Sequence, residues 1–173
     1  MIRTDFSRYE FPELIDQRGY KSAVEVGVNI GQFSYYLLKH SKLEILVGVD
    51  PFAGRFKSAM KGATSLLEPY TVPNSPRYRL IRKHSMQAAA DLAKDGRWYD
   101  FIYIDADHHQ DCVRDDITCW MNLVRPGGIL AGHDYVEDHP GVMAAVDEFA
   151  AKSGWPLYVT REAWGSWFFE IPK

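Results

Sequence analysis

The sequence predicts an α/β fold in which one doubly wound, mostly parallel sheet carries helices on both faces. Three observations predict it. Short apolar runs, rich in β-branched and aromatic residues, alternate with longer stretches of helical period. The runs are continuously apolar, so both faces of the sheet must be covered, and the intervals between them have room for crossover helices. Finally, 173 residues make one domain at roughly 150 residues per domain. A chain of that size buries about 70% of its unfolded surface, so it needs no disulfide or metal to hold it.

The elements follow in order. Residues 1–21, with charges throughout, are expected to form an N-terminal helix or lid segment ahead of a first strand at Ser22–Val26. Phe33 and Leu37 mark a helix, and Ile45–Asp50 a second strand. Pro51 to Pro76 holds some helical period and then three prolines, which predicts a helix followed by a loop over the ligand edge of the sheet. Tyr78–Ile81 is the third strand; Met86, Ala89, Ala90 and Ala93 share one face of the helix after it. Phe101–Asp105 is the fourth. Val113, Ile117, Trp120, Met121 and Val124 then repeat at helical spacing. Gly128–Ala131 is the fifth strand, and Val142, Ala145, Val146 and Phe149 line the last helix. Trp155–Thr160 and Ser166–Ile171 are separated by only Arg161–Gly165, too short for a parallel crossover, so they must be antiparallel neighbours. Seven strands result: five parallel, then a closing hairpin. No internal repeat or low-complexity tract interrupts them, and residues 1–173 read as a single domain.

Composition narrows the function. A net charge of −3 argues against a nucleic-acid groove, which is normally strongly basic. No run approaches the roughly 18 apolar residues of a membrane span, and the opening residues lack the apolar core of a signal peptide. Cys112 and Cys119 would lie about 10 Å apart on a helix, beyond the roughly 7 Å that a disulfide tolerates. Two free thiols point to the cytoplasm. Monomer and homodimer both stay open.

In open α/β sheets, ligands bind outside the carboxyl ends of the strands. After the first strand come Glu25, Gly27, Asn29 and Gly31. Gly27 permits a tight turn, and Gly31 lets a helix begin close to the sheet with its amides facing the ligand. Asp50 ends the second strand, nineteen positions beyond Gly31, where a carboxylate can accept two ribose hydroxyls. A dinucleotide site wants glycine at the position of Asn29, so that backbone can approach the pyrophosphate. Glu25 would repel a pyrophosphate but attract an ammonium group. The charges favour S-adenosylmethionine (SAM), which carries an amino group and a sulfonium and no phosphate. A nicotinamide cofactor is disfavoured by the same two residues.

These motifs resemble those of class I SAM-dependent methyltransferases. EVGVNIGQF is similar to the first motif of that superfamily and VGVDPF to its second; IDADH and RPGG…GHDY resemble a small bacterial branch. The resemblance implies a Rossmann-like sheet in the order 3-2-1-4-5-7-6 with the seventh strand antiparallel. It also implies that Glu25 holds the methionine amino group, that Gly27, Asn29 and Gly31 shape the turn beneath it, and that Asp50 binds the ribose. Pro51 and Phe52 would flank the adenine, with His84 and Ser85 in its binding loop and Asp105 at the cofactor's edge. An acidic residue is commoner where His84 stands. At this length no large substrate cap fits.

The chemistry is expected after the fourth and fifth strands. In one reading Asp105, His133 and Asp134 hold a divalent metal (Mg²⁺, Mn²⁺ or Ca²⁺), as catechol-type O-methyltransferases do, although His133-Asp134 departs from their acid–amide pair. A metal there would orient substrate oxygens and acidify the attacking hydroxyl. In another, His108 or His133 is a general base, with Asp134 beside it. In a third, Asp107 or His108 only caps the next helix, Asp134 starts a turn, and proximity does the work. The acceptor is expected to be a hydroxyl of a small molecule, such as a sugar or phenol. Rival functions are a metal-dependent hydrolase or oxygenase built on Asp105, His108 and His133, and a non-catalytic SAM-binding module. Asp115 and Asp116 read as a solvated helix face, and His139 as part of a loop before the last helix. Trp164 and Trp167, beside the final hairpin turn, are possible pocket walls.

Overall fold

The structure, a computed structural model, describes residues 1–73 and 76–173. Asn74 and Ser75, within the loop expected before the third strand, lie outside the described residues. Eight strands form one sheet: β1 (Ile2–Arg3), β2 (Ser22–Val26), β3 (Ile45–Val49), β4 (Tyr78–Ile81), β5 (Tyr99–Ile104), β6 (Val124–Gly132), β7 (Tyr158–Val159) and β8 (Trp167–Glu170). The helices are α1 (Phe11–Gln17), α2 (Gln32–His40), α3 (Ala59–Leu67), α4 (Ser85–Lys94), α5 (Gln110–Met121) and α6 (Pro140–Ser153).

The sheet order is β1-β7-β8-β6-β5-β2-β3-β4. Without β1 this is the expected 3-2-1-4-5-7-6. β8 runs antiparallel to both β6 and β7, as the short connection between the last two strands requires. The addition is β1. Residues 1–21 are not all helix, because Ile2–Arg3 pairs in parallel with the outer edge of β7. The Ile2 and Thr4 amides donate to the carbonyls of Leu157 and Val159, at 2.7 and 2.9 Å. A two-residue edge strand leaves only its backbone as a signature, which no side-chain pattern announces.

Successive strand residues point to opposite faces, and the sheet therefore builds two cores. On one side Val24, Val26, Ile102, Ile104 and Leu130 pack against α4, α5 and α6 through Leu92, Val113, Ile117, Trp120 and Val146. On the other, Ala23, Leu46, Phe101, Tyr103 and Phe168 pack against α1, α2 and α3 through Phe11, Ile15, Leu37 and Leu67. Phe11 and Ile15 are fully buried, so α1 belongs to this second core. The carboxyl ends of β2 to β6 meet at one edge, where the loops carry the site.

Candidate active site

The floor is the turn after β2. Gly27 has φ +93°, and a Cβ there would lie 1.9 Å from the Asp105 carbonyl oxygen; only glycine lets this turn slide past the end of β5. Asn29 and Gly31 also take left-handed backbone, with Gly31 capping α2. Asp50 holds this geometry in place. Its Oδ2 accepts the amides of Val28 and Asn29 at 3.0 and 2.9 Å, and its Oδ1 accepts that of Phe52 at 2.7 Å.

Above the turn opens a cavity of about 640 Å³, lined among others by Glu25, Gly27, Asn29, Asp50, Pro51, His84, Ser85, Asp105 and His108. That volume suits a nucleoside-sized ligand. Gly31 is not among the residues that line it and lies against Ala63 and Leu67 of α3. Phe52 is a correction. Its left-handed backbone (φ +48°) goes with a side chain buried in the core beside α3, so it does not flank the cavity. Ser85 lines the cavity. Its Oγ accepts the Trp120 indole N–H at 2.8 Å and donates to Asp116, so it is already committed within the protein.

Glu25 is 2% exposed and accepts a hydrogen bond from Ser34. Burial pushes its carboxyl up to about 8, against the opposing pull of the Ser34 bond. Arg8, which sequence reasoning missed, reaches the same cavity from the N-terminal segment. Its guanidinium lies 3.9 Å from Asp105 Oδ2 and stacks over the Phe33 ring at 5.2 Å. No motif or periodicity marks position 8. Asp105 is itself pushed above the carboxylate range by burial, although His133 and Arg8 pull the other way.

Asp116 is the second missed residue and corrects the expectation of a solvated face: it is 5% exposed and lines the cavity. Burial pushes it up to about 6. The signal was present, since Asp116 lies three residues after Val113 and four before Trp120, on the buried stripe of α5.

Beyond the end of β6, Asp134 (φ +61°) is buried between two histidines. Its Oδ1 lies 2.8 Å from His133 Nδ1 and its Oδ2 2.9 Å from His108 Nε2. Burial would raise this carboxyl, but the His133 bond and the charges of His133, His108 and His139 hold it below the usual range. Gly141 lets the start of α6 lie against the His108 carbonyl, where a Cβ would come within 2.4 Å. This brings the His139 ring 4.0 Å from that of His108, with Trp164 5.4 Å further on. Trp167 is buried at 1% exposure. Among the described residues, two groups could gather a metal, their ligand atoms within 4.8 Å of one another: the expected Asp105, His133 and Asp134, and a set of His108, Asp134 and His139 that the sequence did not suggest. A mixed oxygen and imidazole set suits Mn²⁺ or Zn²⁺ better than Mg²⁺ or Ca²⁺.

Against known proteins, the profile of the Methyltransf_24 family, a methyltransferase domain, matches residues 24–135. Uncharacterized protein R132 of Acanthamoeba polyphaga mimivirus is 26% identical over 136 residues; the match covers 74% of this chain and 58% of that protein. The fold is similar to an O-methyltransferase from Bacillus cereus solved in complex with SAH, at TM-score 0.73 and 17% identity over 95% of this chain and 80% of that one. It is also similar to the O-methyltransferase TomG of Streptomyces achromogenes, solved in complex with SAM, at TM-score 0.69 and 17% identity over 95% and 79% of the two chains. At such identities the likeness is one of fold.

Proposed function

This chain belongs to the Methyltransf_24 family of methyltransferase domains, and from that premise we propose that it transfers the methyl group of SAM to a hydroxyl of a small molecule. The observation that carries the reading is the cavity itself: a glycine turn with no room for a Cβ, a buried carboxylate at Glu25, and an Asp–His pair at the mouth. Bound SAM supplies a methyl on a cationic sulfur that an in-line nucleophile displaces. Glu25 faces the methionine amino group, and Asp50, beside the turn it builds, meets the ribose. His108 takes the acceptor's proton, because it lines the cavity and Asp134 fixes its ring. His133, on the other oxygen of Asp134, keeps that carboxylate in place.

A second reading is favoured by the convergence of Asp105, His133 and Asp134. These three would hold a divalent ion, which would orient the acceptor oxygens and acidify the hydroxyl. The hydrolase, oxygenase and binding-module alternatives gain nothing from the family match. Among the described residues no helix is long and apolar enough to cross a membrane. The free Cys112 and Cys119 fit a cytoplasmic enzyme.

Calorimetry with S-adenosylhomocysteine (SAH) tests this, in metal-stripped protein and again with Mg²⁺ or Mn²⁺. Binding that disappears in Asp50→Ala is expected. A separate metal heat, lost in Asp105→Ala, would establish the metal-assisted form. Absence of SAH binding under both conditions would remove the methyltransferase reading.

A further inference from the structure

The loops that follow β5 and β6 bring two imidazoles to one side of a buried carboxylate. Asp134 is 6% exposed, and its two oxygens have different partners: Oδ1 meets His133 Nδ1 at 2.8 Å, and Oδ2 meets His108 Nε2 at 2.9 Å. His139 joins the second of these, its ring 4.0 Å from that of His108. The approach is built into the backbone. At Gly141 a Cβ would lie 2.4 Å from the His108 carbonyl oxygen, so glycine there seats the start of α6 against the loop that carries His108. The Tyr135 amide donates to the Gly165 carbonyl at 2.9 Å, which ties the Asp134 loop to the turn that carries Trp164. His139 stands at the N-cap of α6 but makes no capping bond with its side chain, so capping does not account for an imidazole there. A hydrogen bond to Asp134 Oδ2 needs one ring. Here there are two, and one ligand atom from each of His108, Asp134 and His139 lies within 4.8 Å of the others. Donors around an ion with bonds of about 2.0–2.2 Å sit roughly 3.3 Å apart, so small side-chain rotations close the set.

We propose that His108, Asp134 and His139 form a binding site for a divalent transition-metal ion, Zn²⁺ foremost. Two imidazoles and a carboxylate are the donors of such an ion, and three protein ligands leave one position open. Mg²⁺ and Ca²⁺ want oxygen donors instead. The site goes beyond the methyltransferase reading, because it stands on three side chains whatever the cavity binds. It also bears on that reading. An ion on His108 Nε2 leaves the ring proton on Nδ1, so an occupied site takes His108 out of the role of base.

The test is Zn²⁺ binding to the metal-stripped full chain by calorimetry, with thermal unfolding of each variant as the check on folding. The wild-type protein is expected to bind one ion tightly. His139→Ala should weaken that binding by more than about 100-fold, beyond the roughly 10–100-fold that loss of a residue behind the ligands costs. Asp105→Asn should weaken it by less than about tenfold, the low end of that range, because Asp105 is no ligand of this set. Equal losses in the two variants, or a greater loss in Asp105→Asn, would put the ion on Asp105, His133 and Asp134 and overturn the proposal. So would a wild-type protein that binds no Zn²⁺, or a His139→Ala protein that binds it as tightly as the wild type. If His139→Ala does not fold, His139→Gln reads the same loss with more of the side-chain volume kept. SAH binding by the same wild-type sample reports on the methyltransferase reading separately.

Discussion

Glu25 is a carboxyl group held where water cannot reach it, 2% exposed and bonded to Ser34. With its carboxyl pushed up to about 8, it is mostly protonated at pH 7 in the free protein. An ammonium group arriving beside it favours the charged form, so binding must expel a proton. The expected outcome is release of up to about one proton per SAH at pH 7, falling toward zero above pH 8. SAH affinity should therefore rise with pH up to that point and then level. Calorimetry in two buffers of different ionisation enthalpy measures this directly, and identical heats in the two would remove Glu25 from the amino-group site. The sign for stability is the opposite. A carboxyl whose folded value lies above its ordinary one stabilises the fold fully below about 4.5, and that contribution is lost as pH rises through about 8. Glu25→Gln should abolish the proton release and flatten the decline.

At the scale of elements, the parallel strands are tied at their amino ends by Asp100. Its Oδ2 accepts the amides of Lys21 and Ser22 at 2.6 and 2.8 Å and the Ser22 hydroxyl at 3.1 Å, while Arg125 pairs with Oδ1. One side chain of β5 thereby fixes the start of β2 and the start of β6. Asp100→Ala would leave two strand amides and an arginine without their partner, a loss of about 3 kcal/mol in urea unfolding. Asp100→Asn should recover part of it, and a loss below about 0.5 kcal/mol, the level of a featureless surface change, would show that the clamp is idle. Ser22–Val26 was legible to the residue because both its faces are covered and its apolar run ends at Gly27, whereas Tyr78–Ile81 was legible although it is an edge strand with Arg79 exposed. β1 was not, since Ile2 and Arg3 are exposed and contribute only backbone. β7 shrank to Tyr158–Val159, because apolar character there reflects burial beneath α6 as well as pairing. In the site, Gly27, Asp50 and Asp134 were legible from spacing after strand ends. Arg8 arrives from a segment whose place depends on the whole fold, and Phe52 turns inward through a left-handed residue that composition does not announce.

Across the whole molecule, the net charge of −3 conceals an uneven distribution. Among the described residues, the cavity wall carries the acidic groups Asp50, Asp105, Asp107, Asp115 and Asp116, faced by Arg8. Clefts lined by one sign of charge concentrate ligands of the opposite sign. SAM carries one net positive charge and SAH none, so this field separates cofactor from product by charge alone, independent of any contact to the sulfur. Added salt screens it, the Debye length falling from about 10 Å at 0.1 M to about 3 Å at 1 M. SAM affinity should therefore fall several-fold over that range while SAH affinity changes little. Arg8→Ala, which removes the local counter-charge 3.9 Å from Asp105, should widen the gap between the two ligands at low salt and steepen the dependence for SAM. Calorimetric titrations of both ligands at four salt concentrations measure the slopes. Parallel slopes for SAM and SAH would mean that the acidic wall is screened before the ligand arrives, leaving the preference for SAM to direct contacts at the sulfonium.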